Sequence, residues 1–261
     1  MWIVKIVQYN VLDGCRTDER YAMLFNWLKQ QDYDIAGFNE MNDWTEEEFQ
    51  KEMEKLGLPY TLLYRMESSR FSIGIASKWP IENIYMTDEA PFHHGLLHVK
   101  IQEIHFLVTH LSPFESTIRE KEATEIADYI QSIHEPLMLM GDLNTLSPLD
   151  QDYYINNRSK EKMLQRKFSK RQHILDGEIN YQPMQTLLDA GLHDIGKGES
   201  LDYSLPTKIK GELQDPIYVR IDYMLANQAM LKLNPSSIVI RDDQGDRISD
   251  HYPVQGQFEN K

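Results

Sequence analysis

Asn10 follows the apolar run Trp2–Tyr9, and Glu40 follows Ile35-Ala36-Gly37-Phe38. His110 ends the run that starts at Ile104, and Asp142 and Asn144 follow Leu137–Met140. Asp222 lies within Arg220-Ile221-Asp222-Tyr223, and the pair Asp250-His251 precedes the last apolar run, Pro253–Phe258. A single polar residue after a strand is ordinarily a turn former. Carboxylates, amides and imidazoles at so many strand ends point instead to one shared cleft, because ligands of α/β sheets bind beyond strand ends. Glu40 and the aspartates are hard oxygen donors, suited to magnesium or manganese rather than zinc. Asn10 and Asn144 can donate to phosphate oxygens or orient ligands. An Asp–His pair sets the tautomer of the imidazole and holds it protonated beside developing negative charge. The sequence has no Gly-x-Ser-x-Gly elbow, no P-loop and no Gly-x-Gly-x-x-Gly. Serine-triad acyl transfer, NTP motor chemistry and Rossmann cofactors therefore have no support.

The elements that must position these groups alternate in period. Trp2–Tyr9 reads as a strand, and Thr17 precedes a helix with its apolar stripe at Tyr21, Leu24, Phe25 and Leu28. Ile35–Phe38 reads as a short buried strand, and Thr45 with Glu48 forms a capping box before Phe49, Met53 and Leu56. Strand signals follow at Tyr60–Tyr64, Phe71–Ser77, Leu96–Ile101 and Ile104–Thr109. Thr117–His134 is helical, with Ala123, Ile126, Ala127 and Ile130 on one side. Leu137–Met140, Val219–Ala226 and Ile238–Ile240 are further strands. Helices among early strands and hairpin-like pairs in the middle predict an α/β domain with mixed sheets, not a doubly wound parallel sheet.

The chain has 261 residues, with 41% hydrophobic and 26% charged residues, ordinary for a globular protein. Its formal charge is −14, which repels polyanions at long range and counts against avid non-specific DNA binding. The lone Cys15 excludes an internal disulfide and a cysteine-built zinc site, and reads as an idle thiol. No apolar run approaches the ~18 residues of a membrane span. The N-terminus has no basic stretch followed by an apolar one, so a cytoplasmic location is expected. Between Pro148 and Pro183 the rhythm breaks, and Arg158, Lys160, Lys162, Arg166, Lys167, Lys170 and Arg171 gather against Glu161. This predicts a basic insertion at about 149–182 with one basic helix, within one domain spanning 1–261. Such a helix either presents a solvated face or draws in an anionic substrate. His93, His94, His98 and His105 lack the spacing of a helical zinc site and predict a loop and sheet edge, with His93 or His94 able to line the cleft.

Seven motifs occur in order: Val7-Gln8-Tyr9-Asn10, Phe38-Asn39-Glu40, Gly74-Ile75-Ala76-Ser77-Lys78-Trp79-Pro80-Ile81, Thr109-His110-Leu111, Gly141-Asp142-Leu143-Asn144, Arg220-Ile221-Asp222-Tyr223 and Ser249-Asp250-His251. In these the chain resembles the endonuclease/exonuclease/phosphatase superfamily, which includes deoxyribonuclease-type nucleases, abasic-site endonucleases, neutral sphingomyelinases, inositol polyphosphate phosphatases and deadenylases. The resemblance implies an α/β (α+β) four-layer sandwich of two packed mixed β-sheets flanked by helices. It also implies hydrolysis of a phosphoester with a divalent metal, Mg²⁺ or Mn²⁺. By the same resemblance Glu40 is the principal metal ligand with Asn10 beside it, and Asp250 a further ligand or a support for one. Asp142 orients or deprotonates the attacking water. Asn144 and His110 contact the phosphate, and His251, positioned by Asp222, hydrogen-bonds the phosphoryl oxygen. Whether Asp142 or the Asp222–His251 pair is the base stays open. Abasic endonucleases often carry an aspartate two residues after the first asparagine, where this chain has Leu12, so Asp13 is a poor second-metal ligand.

A metal and amide and imidazolium donors would offset the charge that makes phosphodiesters resist attack. Without the Arg158–Arg171 stretch, 20 basic residues face 40 acidic ones, so nucleic acid is allowed but not favoured. A nucleotide, a lipid headgroup or another small phosphorylated molecule is at least as good a substrate. The competing reading is a catalytically silent phosphate-binding or scaffold protein on the same fold. Metal-dependent hydrolysis separates the two.

Overall fold

Strand β1 (Trp2–Asn10) runs parallel to β2 (Ile35–Asn39), because helix α1 (Asp18–Gln31) carries the chain back between them. The computed structural model describes residues 2–87, 89–166, 173–198 and 200–260. The chain continues through α2 (Glu46–Glu54), β3 (Tyr60–Tyr64), β4 (Ile73–Ser77), β5 (Glu82–Thr87), β6 (Leu96–Ile101), β7 (Ile104–His110), α3 (Ser116–Ile130) and β8 (Leu137–Asp142). Next come α4 (Gln151–Asn156), α5 (Ser159–Gln165), the hairpin of β9 (Ile174–Leu175) and β10 (Glu178–Ile179), α6 (Gln182–Asp189) and β11 (Leu192–Asp194). The last elements are β12 (Asp222–Asn227), β13 (Ser236–Val239), α7 (Gly245–Ile248) and β14 (Val254–Asn260).

Two six-stranded sheets result, ordered β13-β14-β1-β2-β4-β3 and β11-β12-β8-β7-β6-β5. Both are mixed: β1–β2 and β7–β8 are parallel pairs, and the other pairs are antiparallel. Side-chain alternation assigns the layers. Val4 and Ile6 of β1 meet Val99, Phe106, Met138 and Met140 of the other sheet in a shared core. Val7 and Tyr9 point the other way, onto Trp27 and Leu28 of α1 and near Phe49 of α2. On the second sheet, Leu107, Leu139 and Leu225 pack against Ala123 and Ile126 of α3 and Leu187 of α6. The order is therefore helix, sheet, sheet, helix, as the resemblance implied. A one-residue slip in any of these strands would exchange its core and helix faces.

Several elements differ from their sequence signals. The capping box of α2 forms as expected, with Thr45 accepting from the Glu48 amide and Glu48 accepting from the Thr45 amide. Thr17 does cap α1 by position, but its hydroxyl makes no capping bond. β12 starts at Asp222 rather than Val219, because Val219 instead bridges Leu205. β4 starts at Ile73, which releases Phe71 from the strand. β5 carried no alternating signal because it is an edge strand whose Ile84, Tyr85 and Met86 are all exposed.

The basic insertion holds two short helices, not one, since Arg158 takes a left-handed conformation (φ 52°) between α4 and α5. Three of its described cations are paired: Lys160 with Glu178, and Lys162 and Arg166 with Asp215. Lys167, Lys170 and Arg171 lie outside the described residues.

Two glycines have neighbouring chain so close that no side chain fits: Gly37 faces Gln8 and the other sheet's Met140, and Gly141 faces its β7 partner Thr109. A Cβ on Gly37 would lie 2.5 Å from Gln8 Oε1 and 2.7 Å from Met140 Cε. A Cβ on Gly141 would lie 1.9 Å from the Thr109 carbonyl oxygen, a backbone atom that cannot rotate away. Gly141→Ala should therefore lose more than ~2 kcal/mol, whereas Gly198→Ala, at an open position, should stay within about 0.5 kcal/mol of the parent. Urea unfolding of both variants measures this; equal stabilities would refute the clash.

Candidate active site

Register brings the expected residues to one end of the sandwich. Asn10 lies opposite Asn39 across β1–β2, and His110 lies opposite Asp142 across β7–β8. β12 is antiparallel to β8, so its first residue, Asp222, also lies opposite Asp142. β14 is antiparallel to β1 and begins opposite Gln8, which puts the preceding His251 at the same end. On each of these strands the site residue continues the inner-facing series: Ile6, Gln8, Asn10; Phe106, Val108, His110; Met138, Met140, Asp142; and Asp222, Met224, Ala226. The site is the end of the inter-sheet core where apolar side chains give way to polar ones.

Asp142 stands at the centre. Its Oδ2 accepts from Asn10 Nδ2 at 3.0 Å, with His110 Nε2 at 3.5 Å and His251 Nδ1 at 3.8 Å. Its Oδ1 accepts from the Asn144 backbone N–H at 2.9 Å. Asn144 is left-handed (φ 47°), and its Nδ2 donates to the Leu111 carbonyl at 3.0 Å, which fixes the loop after β8 to the loop after β7.

His251 donates or accepts through Nδ1 with Asp222 Oδ2 at 2.8 Å, while its Nε2 lies 3.9 Å from Asp250 Oδ1. Burial alone would push the imidazole pKa down, but Asp222, Asp142 and Asp250 overcome it and raise the value to about 10. Nδ1 is accordingly the donor to Asp222. Asp142, Asp222 and His251 offer ligand atoms within 4.8 Å of one another, a spacing that could hold a metal ion. Asp222 Oδ1 is buried and has no hydrogen-bond partner among the described residues.

Glu40 sits just past β2 in a left-handed conformation (φ 60°), rare for a non-glycine residue and common at functional sites. Its carboxylate accepts from Asn10 Nδ2 at 3.2 Å and from the Asp13 backbone N–H at 3.0 Å. Asp13 turns its own carboxylate to Asn42 and Arg70. Asp250 is only partly buried and has Lys210 Nζ 3.8 Å away. The structure thus gathers Asn10, Asp142, His110, Asp222 and His251 directly, with Glu40 joined through Asn10 and Asp250 flanking His251.

Sequence reasoning assigned no role to four residues that hold these groups. Asn39 Oδ1 accepts from the Asp142 backbone N–H and from Gln8 Nε2, each at 2.8 Å, and Asn39 Nδ2 donates to the Thr109 carbonyl at 3.0 Å. Polar Gln8 and Asn39 at inward-facing positions of apolar strands were the available signal. Ser249 Oγ donates to the Asn10 carbonyl at 2.7 Å and accepts from the His251 backbone N–H at 3.2 Å. Arg220, buried between Asp150 and Asp194, ties the root of the insertion to β11.

Of the other histidines, His93 and His94 lie on a loop as expected, whereas His98 and His105 lie on β6 and β7, which have partner strands on both sides, and not at a sheet edge. His98 and His105 are neighbours on β6 and β7, hydrogen-bonded at 2.7 Å, and His98 also bonds the Tyr129 hydroxyl. His94 lies before β6 with its ring 4.4 Å from that of His110. Cys15 is buried, and burial pushes its thiol up to about 11, so it is unreactive.

Two packed mixed sheets with this amide, carboxylate and imidazole cluster at their shared end define a phosphoesterase of the deoxyribonuclease-like fold. Residues 7–251 match the Endonuclease/Exonuclease/phosphatase family, and the chain belongs to it. Among solved structures, an AP endonuclease from Archaeoglobus fulgidus superposes with a TM-score of 0.74 at 18% identity, covering 98% of this chain and 100% of that one. A 3′–5′ exonuclease from Neisseria meningitidis gives 0.72 at 18% identity, with the same coverage of 98% and 100%. A 3′ phosphatase from Neisseria bound to a product DNA hairpin gives 0.71 at 17% identity, again covering 98% and 100%. No curated protein matches the sequence. No described helix is long and apolar enough to cross a membrane.

The raised pKa of His251 links the site to stability. Its contribution is complete below the ordinary value of 6.5 and is lost as pH rises through about 10. Denaturant stability measured in EDTA should therefore fall between pH 7 and 10, and Asp222→Asn should flatten that fall. An equal slope in parent and variant would show that Asp222 does not hold the proton.

Proposed function

We propose that the chain is a phosphodiesterase that uses a divalent cation, Mg²⁺ or Mn²⁺, held by Glu40 with Asn10. The observation that carries this is the convergence of two carboxylates on one amide nitrogen. Asn10 Nδ2 lies 3.2 Å from Glu40 Oε1 and 3.0 Å from Asp142 Oδ2. Carboxylates held this close repel unless a donor or cation lies between them. Their oxygens fit a hard cation, and no sulfur donor accompanies them. When bound, the ion would offset charge on the phosphate and lower the pKa of a ligated water. Asp250 would serve as a further ligand or bond a ligand water.

The remaining roles belong to the chain's own residues. Asp142 orients the attacking water and takes its proton as the new P–O bond forms in line with the bond that breaks. His251 donates from Nε2 to a phosphoryl oxygen, while Asp222 holds its Nδ1. His110 and Asn144 contact the phosphate from the β7 and β8 ends. The neighbours that act on DNA extend the reading to nucleic acid. Against it stands the charge of −14. One domain over 1–261, carrying the basic insertion, is part of the same proposal.

Hydrolysis of bis-p-nitrophenyl phosphate in preference to p-nitrophenyl phosphate, abolished by EDTA and restored by Mg²⁺ or Mn²⁺, is the expected result. Glu40→Gln should keep the fold, as judged by circular dichroism, and lose orders of magnitude in activity at limiting metal. Undiminished activity there would remove Glu40 from the metal site.

The Asp222–His251 pair makes a separate prediction. His251→Ala should cost at least as much kcat/KM as Asp222→Asn, and the double variant should be far from additive. Additive losses would show that the two residues act independently.

A further inference from the structure

We infer, resting on the phosphodiesterase reading, that a run of rings leading out from His110 is a stacking subsite for the base of a nucleoside joined to the scissile phosphate. His110 faces His94 with ring centroids 4.4 Å apart. His94 meets His93 at 4.4 Å, and His93 meets Phe114 edge-on at 5.5 Å. Phe71 stands edge-on to both His94 and His110, at 4.8 and 6.4 Å. Exposure grows along this run: His94 is buried, His93 is half-buried and Phe114 is 50% exposed. The rings therefore begin at a phosphate-contacting residue and end in solvent, the path a group attached to that phosphate must take.

The wall is built to stay in place. Glu122 on α3 is buried and accepts the His93 and Ser112 backbone N–H groups, each at 2.8 Å. One carboxylate thus ties the loop before β6 to the loop after β7. Ser69 Oγ shares a hydrogen bond of 2.7 Å with His94 Nδ1. A surface ordered in advance loses little entropy when a flat ligand settles on it.

Charge selects among phosphorylated ligands. Burial lowers the pKa of His93, and burial with His93 nearby lowers that of His94 to about 3, so both rings are neutral. A neutral ring wall offers nothing to the extra phosphates of an inositol polyphosphate. A choline headgroup would seek such rings by cation–π attraction. Here the Arg70 guanidinium already lies 5.7 Å from the Phe71 centroid and would repel it. Bases stack on such rings with little regard to sequence.

The test compares two diesters with the same leaving group, thymidine 5′-(p-nitrophenyl phosphate) and methyl p-nitrophenyl phosphate, in Mg²⁺. The parent should prefer the nucleoside diester in kcat/KM by about tenfold or more. Phe114→Ala and His93→Ala should each shrink that preference, chiefly through KM, with melting temperatures confirming folded variants. Ile238→Ala, on the distant edge strand β13, should leave the preference intact. Equal turnover of both diesters, or a preference that survives both ring deletions, overturns the subsite. If neither diester is hydrolysed, the phosphodiesterase reading fails on its own. The subsite is then decided by saturation-transfer NMR of thymidine 5′-monophosphate against deoxyribose 5-phosphate. Base-proton saturation that is lost in Phe114→Ala supports the subsite, and its absence in the parent overturns it. A thymidylyl dinucleotide and single-stranded oligothymidylate, compared as substrates, separate a free nucleotide from a chain end as the source of the base.

Discussion

The Asn39 side chain joins the two sheets where the site is built. It reaches from β2 to take the Asp142 backbone N–H and to give its own N–H to Thr109, while Gln8 holds its oxygen from β1. All of these groups are buried, so each lost bond would leave a polar atom without water or partner. This contact makes the position of Asp142 a property of both sheets at once. Gly37 permits the close approach of the sheets, because a Cβ there would meet Met140, and Gly141 permits the close pairing of β8 with β7, because a Cβ there would meet the Thr109 carbonyl. Asn10, from the neighbouring strand, then spans the remaining gap to Asp142 and Glu40.

Around that frame the charges are arranged unevenly. Glu40, Asp142, Asp222 and Asp250 surround a small volume in a chain already at −14. Donors from Asn10, Asn144, His110 and His251 are interleaved with them, so an anion can approach a site whose outer field is repulsive. Three cations of the insertion, Lys160, Lys162 and Arg166, do not supply this attraction freely, since they are paired with Glu178 and Asp215. On the proposed reading, close-range hydrogen bonds rather than long-range steering would carry the binding of phosphate.

Helix α3 works from behind. Its apolar face packs on the second sheet, and Glu122 on the same helix grips the loops that present His94 and His110. Outer helix, sheet and cleft wall are thereby one mechanical unit. The ring run toward Phe114 has a fixed shape although it lies on loops.

The sequence alone marked most of the elements, and its family resemblance implied the layers and named most of the residues that the structure gathers. Period-2 and period-3.6 patterns marked β1, α1, β2, α2, β6, β7 and β8, because burial on one or both faces writes itself into residue type. Asn10, Glu40, His110 and Asp142 end or follow these runs, Asp222 and His251 stand at or before the start of later strands, and the ordered motifs joined them by resemblance to one chemistry. Exposed β5 left no alternation to read, and the break at Arg158 depends on a backbone angle that composition does not encode. Only the tertiary structure decided which partners meet. The bridge from Asn39 to Thr109 spans 70 residues, and the clamp from Glu122 to His93 spans 29. Hydrogen bonds of that range follow from how two sheets and a helix pack, and no local pattern of residues records them.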